Sequence, residues 1–310
     1  MNRITAANLW RARGKNLPLR NLILRAIRLF FLRRHYLEVE TPYLIPAPAP
    51  EIYIDAYALS GLYLHTSPEL AMKRLLALGY HRIFQICKCF RQGEKGAKHL
   101  PEFTLLEWYR VGSNYISLME ECEAMLASVF GRIGREKKLL YQGQAIDLSL
   151  PWERLTVEDA FREFAPLSLG EVLKRDCFDE AMAVYIEPHL GVKRPTFLYD
   201  YPYHPGSLAR RKEKDPSFVE RFELYIGGLE LINGFTELTD PEEQRIRFCE
   251  ARKLREQAGK DPYPLAERFL SALAAVPEAA GAALGIDRLT MLAANSDHIE
   301  EVVAFTGEEL

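Results

Sequence analysis

A chain of 310 residues with 48% hydrophobic content is long enough for one large domain, or for one domain carrying an insertion. Its 40 basic and 43 acidic side chains leave a net charge of −3, so no bulk excess of positive charge argues for general nucleic-acid binding. Five cysteines without a CxxC pair read as reduced thiols of a cytoplasmic protein, the seven histidines show neither HExxH nor zinc-finger spacing, and no apolar run approaches the ~18–20 residues that would cross a bilayer.

Nine Lys or Arg residues precede the first acid, Glu38. That composition is found in transit peptides. Here, however, it runs straight into Leu22, Ile23, Ala26, Ile27 and Phe30, apolar at helical spacing, and so reads as structure. The expected order is an irregular basic arm over 1–18 and then a helix over about 19–36. The basic face is either solvated or a docking patch for an acidic partner. Four prolines from Pro42 to Pro50 forbid a helix and impose an extended loop. LYLHTSPELAMKRLLALG predicts a strand leading into a helix, with Pro68 near the helix start.

The next segment is the most informative. Arg82–Phe90 alternates as a strand and delivers Arg91 to a polar, glycine-containing loop; PEFTLLEWYR returns as a second strand. With a period of 2, Phe103, Leu105, Glu107 and Tyr109 share one face, close to Arg91 and His99. Such a face can hold a flat base, a phosphate and a cationic group side by side. Residues 116–130 have helical period, and Thr156 with Asp159 marks a helix starting at Val157. The stretch from about 112 to 195 reads as a mostly helical insertion between two halves of an antiparallel sheet.

FLYDYP supplies a further strand, and LARRKEKD (208–215) reads as a solvated loop or a partner contact. ERFELYIGGLELINGFTEL then predicts a hairpin turning at Gly227-Gly228. In that register Tyr225 opposes Glu230. Glu223 and Glu230 therefore become diagonal neighbours on one face, able to hold a divalent ion between hard oxygens. Asn233 falls on the opposite face unless a bulge near Gly234 intervenes. GAALGIDRLTML (281–292) places glycines for close approach of the backbone before Asp287-Arg288, which open a helix.

Taken in order, these segments resemble motifs 2 and 3 of the class II aminoacyl-tRNA synthetases, and ETPYLIP with its preceding helix resembles motif 1. HTSPELAMKRLL, HLPEFTLLEWY and GGLELINGFTEL are similar to the lysyl-tRNA synthetase branch. Only about 18 residues precede motif 1, so no anticodon-binding domain is expected. The chain resembles instead the truncated paralogues of that branch, the elongation factor P–(R)-β-lysine ligases. Ala283, in place of the middle glycine of motif 3, matches that family. The resemblance implies an α+β fold, an antiparallel sheet flanked by helices, forming one catalytic domain over 19–310.

The resemblance further implies activation of (R)-β-lysine or lysine by ATP with Mg²⁺, then transfer to a lysine side chain of elongation factor P. It implies a homodimer without direct tRNA binding. By the same resemblance Arg91 and Arg288 are catalytic, clasping the α- and γ-phosphates. Phe103 stacks on adenine, His99 and Gly285 help seat the nucleotide, and Glu94 contacts adenine, since Gly93 stands where the motif-2 acid is usual. Glu223 and Glu230 hold Mg²⁺. Ser67 and Glu69 meet the substrate amine; Glu107, Tyr109, Asn233 and Glu237 meet its side-chain end; Ala283 forms the pocket floor. The other readings are a truncated lysyl-tRNA synthetase charging tRNA, an ammonia-dependent asparagine synthetase and a non-catalytic regulatory paralogue.

Overall fold

The computed structural model describes residues 6–204 and 207–310. It opens with helix α1 (Ala6–Leu32) and the short strands β1 (Leu37–Glu38), β2 (Leu44–Ile45), β3 (Ala58–Leu59) and β4 (Leu62–Leu64). Helix α2 (Glu69–Ala77), strands β5 (Arg82–Phe90) and β6 (Glu102–Val111) and helix α3 (Tyr115–Arg132) follow. Next come β7 (Lys138–Tyr141), β8 (Gln144–Asp147), β9 (Glu153–Thr156), α4 (Val157–Phe164), α5 (Leu169–Lys174) and α6 (Phe178–Ala181). The chain finishes with β10 (Thr196–Pro202), β11 (Phe218–Ile226), β12 (Leu229–Thr236), α7 (Pro241–Gln257), α8 (Glu267–Leu273), β13 (Ala279–Gly285) and α9 (Ile286–Ala294).

The main sheet has eight strands in the order β1-β5-β6-β13-β12-β11-β10-β9. Its six central strands are antiparallel, as expected, but the outer pairs β1·β5 and β9·β10 are parallel. A parallel neighbour needs a long crossover, and the helical segment between β9 and β10 provides it. One face of the sheet is apolar. Phe84, Leu106, Trp108, Phe222 and Leu284 pack there against Ile27 and Phe31 of α1 and Leu118, Cys122, Met125 and Phe130 of α3. Phe31 stacks on Phe84 with ring centroids 4.9 Å apart. Alternation turns the intervening residues to the other face, where the site lies.

Three expectations need correction. The first concerns the arm over 1–18, which from Ala6 onward is helical and continuous with α1 through Pro18. Proline costs a helix a hydrogen bond and clashes with the carbonyl four residues back. Tertiary contacts outweigh that cost: Arg13 is buried, donates to both carboxylate oxygens of Glu309 at 2.8 and 2.7 Å and to Glu300 O at 3.0 Å, and Trp10 packs edge-on against Phe305. The second concerns the 112–195 segment. Its first helix, α3, belongs to the shared core, and strands β7–β9 interrupt the helical run. The β7–β8 hairpin turns at Gln142-Gly143, both with positive φ (46° and 79°), a two-residue turn missed in the sequence.

The third concerns the bulge in the 218–236 hairpin. Tyr225 does face Glu230, but the register shifts between Leu224 and Tyr225, so Leu224 faces Ile232 and Leu231 is the extra residue. The bulge therefore lies three residues before Gly234. It still brings Asn233 onto the face of Glu230, directly opposite Glu223.

Candidate active site

Strand register builds the floor of a cavity of about 360 Å³ on the polar face of the sheet. Gln85, Glu107, Ala283, Asn233 and Glu223 form one row across five adjacent strands. A second row is Tyr109, Gly281, Phe235 and Arg221. Gly281 must lack a side chain, because a Cβ there would lie 2.3 Å from the Tyr109 ring. Ala283 opposite Glu107 puts a methyl on the floor. Its pleat neighbour Gly285, opposite Leu105, leaves the backbone open beside Arg288.

The strands order the cavity along their length. At the Phe103 end, Arg91, Glu94, His99, Gly285 and Arg288 line it. The Arg91 guanidinium lies over the Phe103 ring, 5.0 Å from its centroid, and 3.8 Å from Glu94. Arg288, on the first turn of α9, donates to Glu230 O at 2.9 Å and to its carboxylate at 3.1 Å, and its other nitrogen meets His99 Nε2. Burial and the charge of Arg288 hold the His99 pKa below its ordinary value. Asp287, just before Arg288 in sequence, pairs with Arg20 of α1 and accepts from Thr104 N at 2.8 Å, locking α9 to β6.

At the Tyr109 end, Ser67, Glu69, Glu107 and Tyr109 line the cavity. Tyr109 OH donates to Glu107 at 2.6 Å, while burial pushes the Glu107 pKa well above its ordinary value. Glu237 departs from expectation. It is buried beside Tyr109 on the same face of Gly281 and is not among the side chains that line the open cavity. Lys73, wholly buried on α2, pairs with it and with Glu69, the latter at 2.6 Å. Two carboxylates thus share one internal ammonium. Burial raises the Glu237 pKa to about 8 against the pull of Lys73.

The Glu223 carboxylate accepts from Tyr201 OH and Tyr225 OH, both at 2.6 Å, and pairs with Arg221, whose Nε donates to Asn233 Oδ1 at 3.1 Å. Burial and the charge of Glu230 raise its pKa; Arg221 opposes them. The cavity thus gathers every residue expected at the site except Glu237. Sequence reading missed Arg221, Lys73 and Glu51. Arg221 lies two residues before Glu223 in the same alternation, and Lys73 lies one helical turn after Glu69. Those two were open to the periodicity argument. Glu51 sits in the proline-rich loop, where no periodicity assigns a direction. Beside the site, buried His65, Cys87 and Cys89 bring ligand atoms within 4.8 Å of one another. His65 Nε2 is already hydrogen-bonded to Lys88 O at 2.7 Å, and the thiol cluster packs under Phe103 and Ala283.

A sheet bearing two facing arginines, paired acids and a glycine-rich strand running into a helix defines a synthetase-type catalytic domain. Residues 5–309 match the family model described as tRNA synthetases class II (D, K and N), and the chain belongs to that family. Curated relatives narrow the match. An elongation factor P–(R)-β-lysine ligase of Vibrio cholerae is 40% identical over 306 residues, covering 92% of this chain and 93% of the relative. Proteins of the same name from Pectobacterium carotovorum and Proteus mirabilis are each 42% identical, covering 94% of this chain and 95% and 94% of the relatives. Within its class the chain is therefore a member of the elongation factor P–(R)-β-lysine ligase family.

Proposed function

We propose that this chain activates (R)-β-lysine, or lysine itself, as an aminoacyl-adenylate and passes it to a lysine side chain of elongation factor P, releasing AMP and diphosphate. The observation that carries this reading is the sorting of charge along the cavity. Arg91 and Arg288 lie where a polyphosphate would be held, and Glu69, Glu107 and Glu237 outnumber Lys73 at the other end. A buried cluster with more acids than cations is completed by ammonium groups. Ser67 and Glu69 orient the substrate amine, and Glu107, Tyr109 and Asn233 its side-chain end, with the buried Glu237 beside Tyr109. Ala283 narrows the floor between Glu107 and Asn233 and so sets where the substrate backbone rests.

The substrate carboxylate is already a nucleophile at neutral pH. Adenylation therefore needs positioning and charge stabilisation rather than a base. Arg91 holds the α-phosphate, Arg288 the γ-phosphate, Phe103 the adenine; His99, Glu94 and Gly285 shape the nucleotide's bed. Glu223 and Glu230 fit a divalent cation: both offer hard oxygens on neighbouring strands, and the charge of Glu230 raises the cost of ionising Glu223. We assign them to Mg²⁺, which when bound supplies Lewis-acid support and a template for the triphosphate. The exposed apolar side chains Leu22, Leu32, Tyr43 and Leu44 of the motif-1 segment support a homodimer. No helix among the described residues is long and apolar enough to cross a membrane, which is compatible with a cytoplasmic setting. A net charge of −3 favours a protein acceptor over direct tRNA binding.

Pyrophosphate exchange with ATP and each of α-lysine, (R)-β-lysine and (S)-β-lysine tests this. The expected result is exchange with a lysine isomer, highest kcat/KM for (R)-β-lysine. No exchange with any of the three refutes the activity.

A further inference from the structure

The acids of the cavity are nearly all committed. Glu69 and Glu237 share Lys73, Glu107 takes the Tyr109 hydroxyl, Glu223 takes two tyrosine hydroxyls and Arg221, Glu230 is held by Arg288, and Glu94 lies beside Arg91. Glu51 is the exception. It is half-buried and lines the cavity, yet its carboxylate has neither a hydrogen bond nor an ion pair among the described residues. Its position is nonetheless fixed. Arg255, itself buried, donates to Glu51 O at 2.7 Å, to Ile54 O at 3.0 Å and to Asp55 Oδ1 at 2.8 Å. Gln92 N donates to Asp55 O at 2.7 Å, tying the same loop to the residue after Arg91. An unpartnered carboxylate on a clamped loop, turned into a reaction cavity, is a placed chemical group.

The reaction has one unmet need there. Adenylation requires no base, but the acceptor lysine arrives as an ammonium with no lone pair. We propose that Glu51 is the general base of the transfer step, an inference that rests on the transfer reading given above. One proton passes from the ε-ammonium to the Glu51 carboxylate. The freed lone pair attacks the adenylate carbonyl carbon, and the C–O bond to phosphate breaks. The nitrogen's second proton passes to the departing phosphate, so the products are the amide and AMP, and the first proton leaves from Glu51 to solvent. The surroundings suit the role: burial raises the Glu51 pKa, with Glu69 and Glu94 acting in the same direction and Arg91 and Arg221 against it. No other acid of the cavity is free to accept a proton without first giving up a partner.

The test separates the two half-reactions with Glu51→Gln. Pyrophosphate exchange should stay within about threefold of wild type. Transfer from preformed adenylate to elongation factor P in a single turnover should slow by about 10²–10⁴-fold, the usual share of a general base. Hydroxylamine, uncharged at neutral pH, should discharge the adenylate of both proteins at equal rates. The residual transfer by the variant should rise with pH toward the lysine pKa of about 10.4. Transfer at the wild-type rate, loss of pyrophosphate exchange, or an equal defect with hydroxylamine overturns the role of Glu51. If wild type itself activates no lysine isomer or modifies no elongation factor P, the underlying activity fails instead.

Discussion

Single side chains carry the chemistry here, and their pairing says what each does before substrate arrives. Among the described residues the Arg91 guanidinium meets the Phe103 ring and makes a loose approach to Glu94, so its charge is available to a phosphate. Replacing it by alanine should cost on the order of 2–4 kcal/mol of transition-state stabilisation, read as the fall in kcat/KM for pyrophosphate exchange. A change below tenfold would contradict the assignment. Glu237 gives a pH signature. Its pKa rises from an ordinary 4.5 to about 8 in the folded protein. A carboxyl raised on folding lends stability that is full below pH 4.5 and lost as pH climbs through 8. A bound ammonium reverses the preference, because it favours the ionised acid. Lysine affinity measured by calorimetry should therefore strengthen as pH rises through about 8, and Glu237→Gln should abolish that dependence. A wild-type affinity flat across this range would argue against an ionisable acid at Glu237.

At the scale of elements, the two hairpins and the glycine-rich strand were legible because they sit on a half-buried sheet, where alternation maps sequence onto face. Phe103, Glu107 and Tyr109 could be placed together on that ground alone. Elements fixed by distant contacts were not legible. The start of α1 depends on Arg13 meeting Glu309 at the far end of the chain, and no local pattern overrides the warning given by Pro18. The Leu231 bulge was one residue of freedom that neither turn nor periodicity located, and Lys73 looked like any solvated helix lysine until its helix was packed. The α1 latch makes its own prediction. Arg13→Ala removes charge-assisted hydrogen bonds and should destabilise the protein by about 2–3 kcal/mol. The Arg13 and Thr306 contacts hold the Glu309 pKa down at about 2. A depressed acid contributes stability above its ordinary 4.5 that fades as pH falls toward 2. Protection factors for amide exchange of residues 6–18 should therefore fall in acid in wild type and be low at every pH in Glu309→Gln. Exchange indifferent to both would mean the latch does not hold the helix.

For the molecule as a whole, one sheet serves two purposes. Its apolar face, with α1 and α3, carries the stability, and its polar face carries the reaction from nucleotide to amide. The family points to handing the activated amino acid to a protein, and the loop bearing Glu51 places the proposed base at the cavity wall. The most direct measurement mixes the protein with ATP, Mg²⁺, (R)-β-lysine and elongation factor P and follows intact mass with AMP release. The expected result is a mass gain of one lysyl unit on a single lysine of elongation factor P, matched by one AMP. Elongation factor P left unmodified while the amino acid appears on tRNA, or while no AMP forms, would contradict the account.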